Sequence, residues 1–141
     1  MGFLGKLFNK EEELPPLDSA SQAASKLKEF KATLEQFVGN VNDRIEIVPA
    51  PKTVYVFIGK PPSQFGLVWP KNGDMANFKT ITAEKGLDQP EVLRIYGRLG
   101  ETYDSFKAEA RFETTIAGKK VIVLPSEDFG TKIDAILHAV V

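Results

Sequence analysis

A chain of 141 residues accommodates one domain, large enough to bury about two-thirds of its unfolded surface without staples. Its 18 basic and 19 acidic residues are spread over both halves, 8 of each sign in residues 1–70, so no basic face for nucleic acid stands out. The absence of cysteine excludes disulfides, thiolate metal sites and thiol nucleophiles, and 43% hydrophobic content excludes a disordered chain.

The first nine residues, MGFLGKLFN, place Phe3, Leu4, Leu7 and Phe8 on one stripe of a short helix. Glu11–Glu13 and Leu14-Pro15-Pro16 follow with linker chemistry, so residues 1–18 read as an amphipathic tip and linker before an α+β body at 19–141. The tip is shorter than the roughly 18 residues that span a bilayer and lacks a secretory cleavage pattern. Lys6 stands where a myristoylation motif needs Ser or Thr. Two readings stay open: residues 1–9 contact a partner or a membrane surface, or they are a tail that frays or folds back.

Within the body, Ser19 to Val41 keeps a three-four apolar beat through Leu27, Phe30, Leu34, Phe37 and Val38, which predicts one long amphipathic helix. Ile45–Val48 reads as a short strand ended by Pro49. Thr53–Ile58, TVYVFI, is a strand buried on both faces. Phe65–Trp69 returns as another strand, stopped by Pro70–Gly73, and Asp74 caps a short helix that ends at Gly86.

Residues 90–99, PEVLRIYGRL, fit either a helix, with Val92, Tyr96, Leu99 and Tyr103 aligned, or a strand. The next segment favours the strand. From Phe106 to Ile116 apolar and small residues alternate with Lys107, Glu109, Arg111 and Glu113, predicting a long strand with an exposed polar face. A tight turn at Gly118-Lys119 returns Val121–Leu124, with Ile116 opposite Val121. This partner covers only half of the long strand, and pairing with residues 92–98 would protect the remainder. Ser126 caps a last helix.

The resulting fold class is α+β: one domain with a mainly antiparallel sheet of five to six strands. A long N-terminal helix, a short middle helix and a C-terminal helix pack on it. Apart from the short strand at Ile45, the layout of helix, two strands, helix, three strands, helix over residues 19–140 resembles roadblock-type domains of the profilin-like group. The final strand-to-helix passage VIVLPSEDFGTKIDAILHAV, residues 121–140, is loosely similar as well. The resemblance implies a non-enzymatic interaction module, usually dimeric, that binds regulatory GTPases or assembles on scaffolds.

Catalytic constellations are missing. His138 is the one histidine, at the end of the last helix, so neither a multi-histidine metal site nor HExxH exists. Ser126 and Asp128 lie near it in sequence without a GxSxG elbow. Gly59-Lys60 lacks the rest of a phosphate loop, and GxGxxG does not occur. No catalytic, metal or cofactor residue is assigned, and Asp43 with Glu46 reads as ordinary surface.

The candidate contact residues are therefore Phe3, Leu4, Leu7 and Phe8, together with Trp69 at a strand end and Arg94, Tyr96 and Arg98 on one strand face. The expected function is a protein-interaction or regulatory scaffold module that self-associates as a homodimer, without nucleic acid. The missing cysteines and missing leader lean towards the cytoplasm. The alternative is a small-ligand domain, enzymatic or not, with a pocket lined by Tyr55, Phe57, Phe65, Trp69, Tyr96 and Tyr103.

Overall fold

Residues Ile45–Pro49 are buried along their whole length, as only an internal strand can be, and the remaining elements are arranged around them. A computed structural model describes residues 14–138. In chain order the elements are α1 (Gln22–Glu29), α2 (Lys31–Val38), β1 (Ile45–Pro49), β2 (Val54–Lys60), β3 (Gln64–Lys71) and β4 (Asp74–Asn77). Then follow α3 (Phe78–Glu84), α4 (Gln89–Ser105), β5 (Phe112–Ile116), β6 (Lys119–Val123) and α5 (Glu127–His138). Six strands form one open sheet in the order β4-β3-β2-β1-β6-β5. The β1–β6 pairing is parallel and the other four are antiparallel, so the expected α+β class with a mainly antiparallel sheet holds.

Each face of the sheet has its own chemistry because strand side chains alternate. Ile45, Ile47, Val54, Val56, Val68, Val121 and Val123 meet Ala23 and Leu27 of α1 and Leu34 and Val38 of α2 in an aliphatic layer. On the other face Tyr55, Phe57, Leu67 and Trp69 meet Phe78 of α3, Leu99 and Tyr103 of α4, and Phe129 of α5. Strand β2 supplies both layers, as its unbroken apolar run predicts.

Several expectations need correction. Residues 90–99 are helical, inside α4. Asp88 caps that helix by accepting from the Glu91 N–H at 3.0 Å, Pro90 occupies its first turn, and Ile95, Leu99 and Tyr103 bury one side. The strand expected from Phe106 begins only at Phe112, since Phe106 closes α4 and turns into the aromatic layer. The β5–β6 turn is Ala117-Gly118, both with positive φ (53° and 74°), which places Ile116 opposite Lys119 and Thr114 opposite Val121. The long helix is two, joined at Phe30 with φ −110° and ψ 21°. Asn72-Gly73 forms a hairpin turn rather than a stop: β3 runs on to Lys71, Asp74 opens β4, and Asn77 caps α3 by accepting from Thr80 N–H at 2.7 Å. Phe3, Leu4, Leu7 and Phe8 lie outside the described residues.

Gly130 sets how closely α5 approaches the end of β1. A Cβ there would lie 2.1 Å from the Pro49 carbonyl oxygen and 2.8 Å from the Ala50 Cα, both backbone atoms. Gly66, on β3, has nothing within 4 Å of the same position. Gly130→Ala is expected to lower the unfolding free energy by about 3 kcal/mol in urea titration, as overpacking does. Gly66→Ala should be neutral or gain about 0.5–1 kcal/mol. Equal stability of the two variants would refute this packing.

Candidate functional site

Strand alternation that turns Ile45 and Ile47 to the aliphatic layer turns Glu46 to the aromatic one. It faces Phe57 on β2 and Ile122 on β6 across the backbone, and its exposure is 0%. Three side chains converge on it. Arg44, two residues earlier on the same face, donates from Nη1 to Oε1 at 3.0 Å. The Tyr103 hydroxyl of α4 donates to the same oxygen at 2.6 Å, and Arg111 Nε donates to Oε2 at 2.7 Å. Arg111 Nη1 also binds the carbonyls of Phe106, Lys107 and Glu109 at 3.3, 3.0 and 3.1 Å, gathering the chain end of α4. Its guanidinium lies 5.5 Å from the centre of the Tyr103 ring.

The electrostatics follow from burial. Desolvation alone would lower the pKa of Arg44, but the Glu46 carboxylate and Tyr103 together outweigh it and hold the guanidinium above its ordinary value. Burial pushes the Tyr103 phenol up, and its hydrogen bond to Glu46 pushes it further. Both carboxylate oxygens are engaged, and none of the four side chains lines the grooves described below. The cluster is a cross-link between β1, α4 and the approach to β5. Glu46 is thus not a surface acid, and Arg111, expected on an exposed strand face, has a side chain only 14% exposed. The available signal was a single acid inside the apolar run IEIVP with an arginine two residues before it.

The other candidates separate. Trp69 is buried, edge-to-face with Tyr55 at 5.9 Å. Tyr96 stacks on Phe78 at 4.7 Å, while Arg94 and Arg98 stand one helical turn apart on the exposed side of α4 and do not share a strand face with it. Phe57 packs against Phe65, Tyr103 and Phe129, so the aromatic set fills the core. The Ser126 hydroxyl accepts from Phe129 N–H at 3.2 Å as a helix cap. Among the described residues no group of three or more His, Asp or Glu could hold a metal ion, and no helix is long and apolar enough to cross a membrane.

What faces outward is a groove beside the edge strand β5. Leu27, Leu34 and Ile116 form its apolar floor, Lys28, Lys31 and Glu35 its charged rim, two lysines to one acid, and its volume is about 250 Å³. Because Ile116 and Lys119 close a two-residue hairpin, Phe112 and Thr114 bond to β6 while Glu113 and Thr115 direct their backbone groups to the edge. The chain's own entry takes the first of these: Glu113 N–H donates to Pro15 C=O at 3.0 Å, and Leu17 N–H to Glu113 C=O at 2.9 Å. Thr115 lies past that contact, inside the groove. A second cleft, of about 820 Å³, lies where β1 and β6 end, between Gln22 of α1, Pro49–Pro51 and Glu127 of α5. A scan of family models finds no match, and neither curated proteins nor solved structures show a significant similarity to this chain.

All three tyrosines, Tyr55, Tyr96 and Tyr103, have phenols raised above their ordinary value of 10.0, chiefly by burial, with Asp134 adding to the effect at Tyr55. The folded state therefore holds these protons more tightly than the unfolded one. The stability this confers is complete below about pH 10, the unfolded value, and falls as pH rises above it, by up to about 1.4 kcal/mol per unit for each tyrosine. Absorbance at 295 nm should show phenolate appearing together with loss of near-ultraviolet circular dichroism. A phenolate titrating near pH 10 in the folded protein would contradict the assignment.

Proposed function

We propose that this chain is a non-enzymatic interaction module, acting in a cytoplasmic scaffold or regulatory setting, that receives an extended acidic segment of a partner protein along β5. The observation that carries this is the Thr115 edge opening onto the apolar groove rimmed by Lys28, Lys31 and Glu35. Pro15–Leu17 already adds to the same strand, so extended chain is accepted there, with main-chain bonds supplying affinity and the groove supplying selectivity. Neither lysine has a hydrogen-bond or ion-pair partner among the described residues, so both are available to carboxylates. The reading also draws support from the interior, where the residues equipped for acid-base chemistry are tied to one another.

Peptide display on the folded chain, followed by fluorescence anisotropy, tests this. The selected sequences should be extended, with apolar and acidic residues alternating, and should bind less tightly at high salt. Lys28→Glu with Lys31→Glu should weaken binding by about tenfold or more. Thr115→Pro should abolish it while the fold survives, because proline is tolerated where a strand N–H points outward. Selected peptides that ignore both changes would overturn the proposal.

A further inference from the structure

The exposed side of α4 carries a charge arrangement that its own fold does not use. With Ile95, Leu99 and Tyr103 turned inward, helical geometry leaves Leu93, Arg94, Gly97, Arg98 and Glu101 along the outward strip. Leu93 is 61% exposed, the one large exposed hydrophobic side chain among the described residues. Arg94, Arg98 and Glu101 are exposed and have no ion-pair partner there. Arg94 precedes Gly97 on this strip, and Arg98 and Glu101 follow it. Gly97 itself has nothing within 4 Å of where a Cβ would stand.

We propose that α4 is a self-association surface, on which two copies of this chain pair antiparallel about a two-fold axis beside Gly97. Antiparallel pairing with residue 94 opposite residue 101 sets Arg94 of each copy against Glu101 of the other. The two-fold makes both ion pairs at once. Parallel pairing would set Arg94, Arg98 and Glu101 each against its own copy, whereas in the antiparallel pair only Arg98, beside the axis, meets its own copy. Gly97 leaves a notch that lets the helices approach towards the near end of the usual interaxial range, about 8–10 Å, and Leu93 closes over its flank. A single helix pair falls below about 1,200 Å² of buried surface, so the association is weak and reversible. The surface differs from the β5 groove, and either reading can fail without the other.

The lack of native cysteine supplies the test. Gly97→Cys carries the only thiol, placed at the two-fold, while Lys79→Cys places one on the exposed side of α3 as a control. Under mild oxidation at high protein concentration, Gly97→Cys should form covalent dimer at least about tenfold faster than Lys79→Cys. Adding Arg94→Glu to Gly97→Cys should reduce the rate towards the control, as should adding Glu101→Arg. An equimolar mixture of these two doubly substituted chains should recover it as a heterodimer. Circular dichroism confirms that each variant is folded, which surface positions allow. Equal rates at positions 97 and 79, or a mixture no faster than its components, would overturn the proposal.

Discussion

A carboxylate without solvent exposure in the middle of a sheet has to be compensated where it stands, and Glu46 is compensated by side chains from three segments that converge on it. Arg44 comes from the approach to β1, Tyr103 from the last turns of α4 and Arg111 from the approach to β5. Taking an ionised group out of water costs several kcal/mol, and only close opposite charges and hydrogen bonds offset that cost. Any displacement of α4 from the sheet would therefore leave a buried charge partly unpaired. Arg111 extends the constraint by collecting three carbonyls from residues 106–109, so the end of α4 and the start of β5 are placed together.

The two layers of the sheet are built to different rules around this anchor. The aliphatic layer under α1 and α2 is a close packing of valine, leucine and isoleucine. The layer under α3, α4 and α5 is aromatic, with Phe106 and Phe129 stacked 4.7 Å apart and Phe57 among them. Rings of this kind admit few arrangements, and the hydroxyls of Tyr55 and Tyr103 bond to Asp134 and to the buried Glu46. Interior chemistry is thus turned to holding helices in place. Outward, the groove at β5 and the strip on α4 are the two surfaces for which we propose recognition of a partner by shape and charge.

How much of this was legible in the sequence depended on whether a segment's pattern was set locally. TVYVFI needed only its own composition to reveal a strand buried on both sides, and Ser126 needed only its neighbours to reveal a cap. Residues 90–99 satisfied helical and strand periodicity together. Asp88 and Pro90, the cap and first-turn proline, were the local signals that favoured the helix. The alternation through Lys107, Glu109 and Arg111 had a different origin, because these residues wrap a loop around the guanidinium of Arg111. Glu46 was the least legible, since only Arg44 is local to it, while Tyr103 and Arg111 lie 57 and 65 residues away. The parallel pairing of β1 with β6 is equally non-local, and it is what moved a short strand from the margin to the centre. The surfaces were half visible: Arg94 and Arg98 stood out, but their spacing acquires meaning only on a helix.

The central claim is that Glu46 is a structural cross-link, not a reactive acid, and a double-mutant cycle with Arg111 tests it most directly. Unfolding free energies would be measured by urea titration for Glu46→Met, Arg111→Met and the chain with both changes. Each single change should cost about 3–5 kcal/mol, because it strands a buried charge. The double change should cost at least about 2 kcal/mol less than their sum, the mark of direct coupling. Single changes costing little, or costs that add to within about 0.5 kcal/mol, would contradict the account.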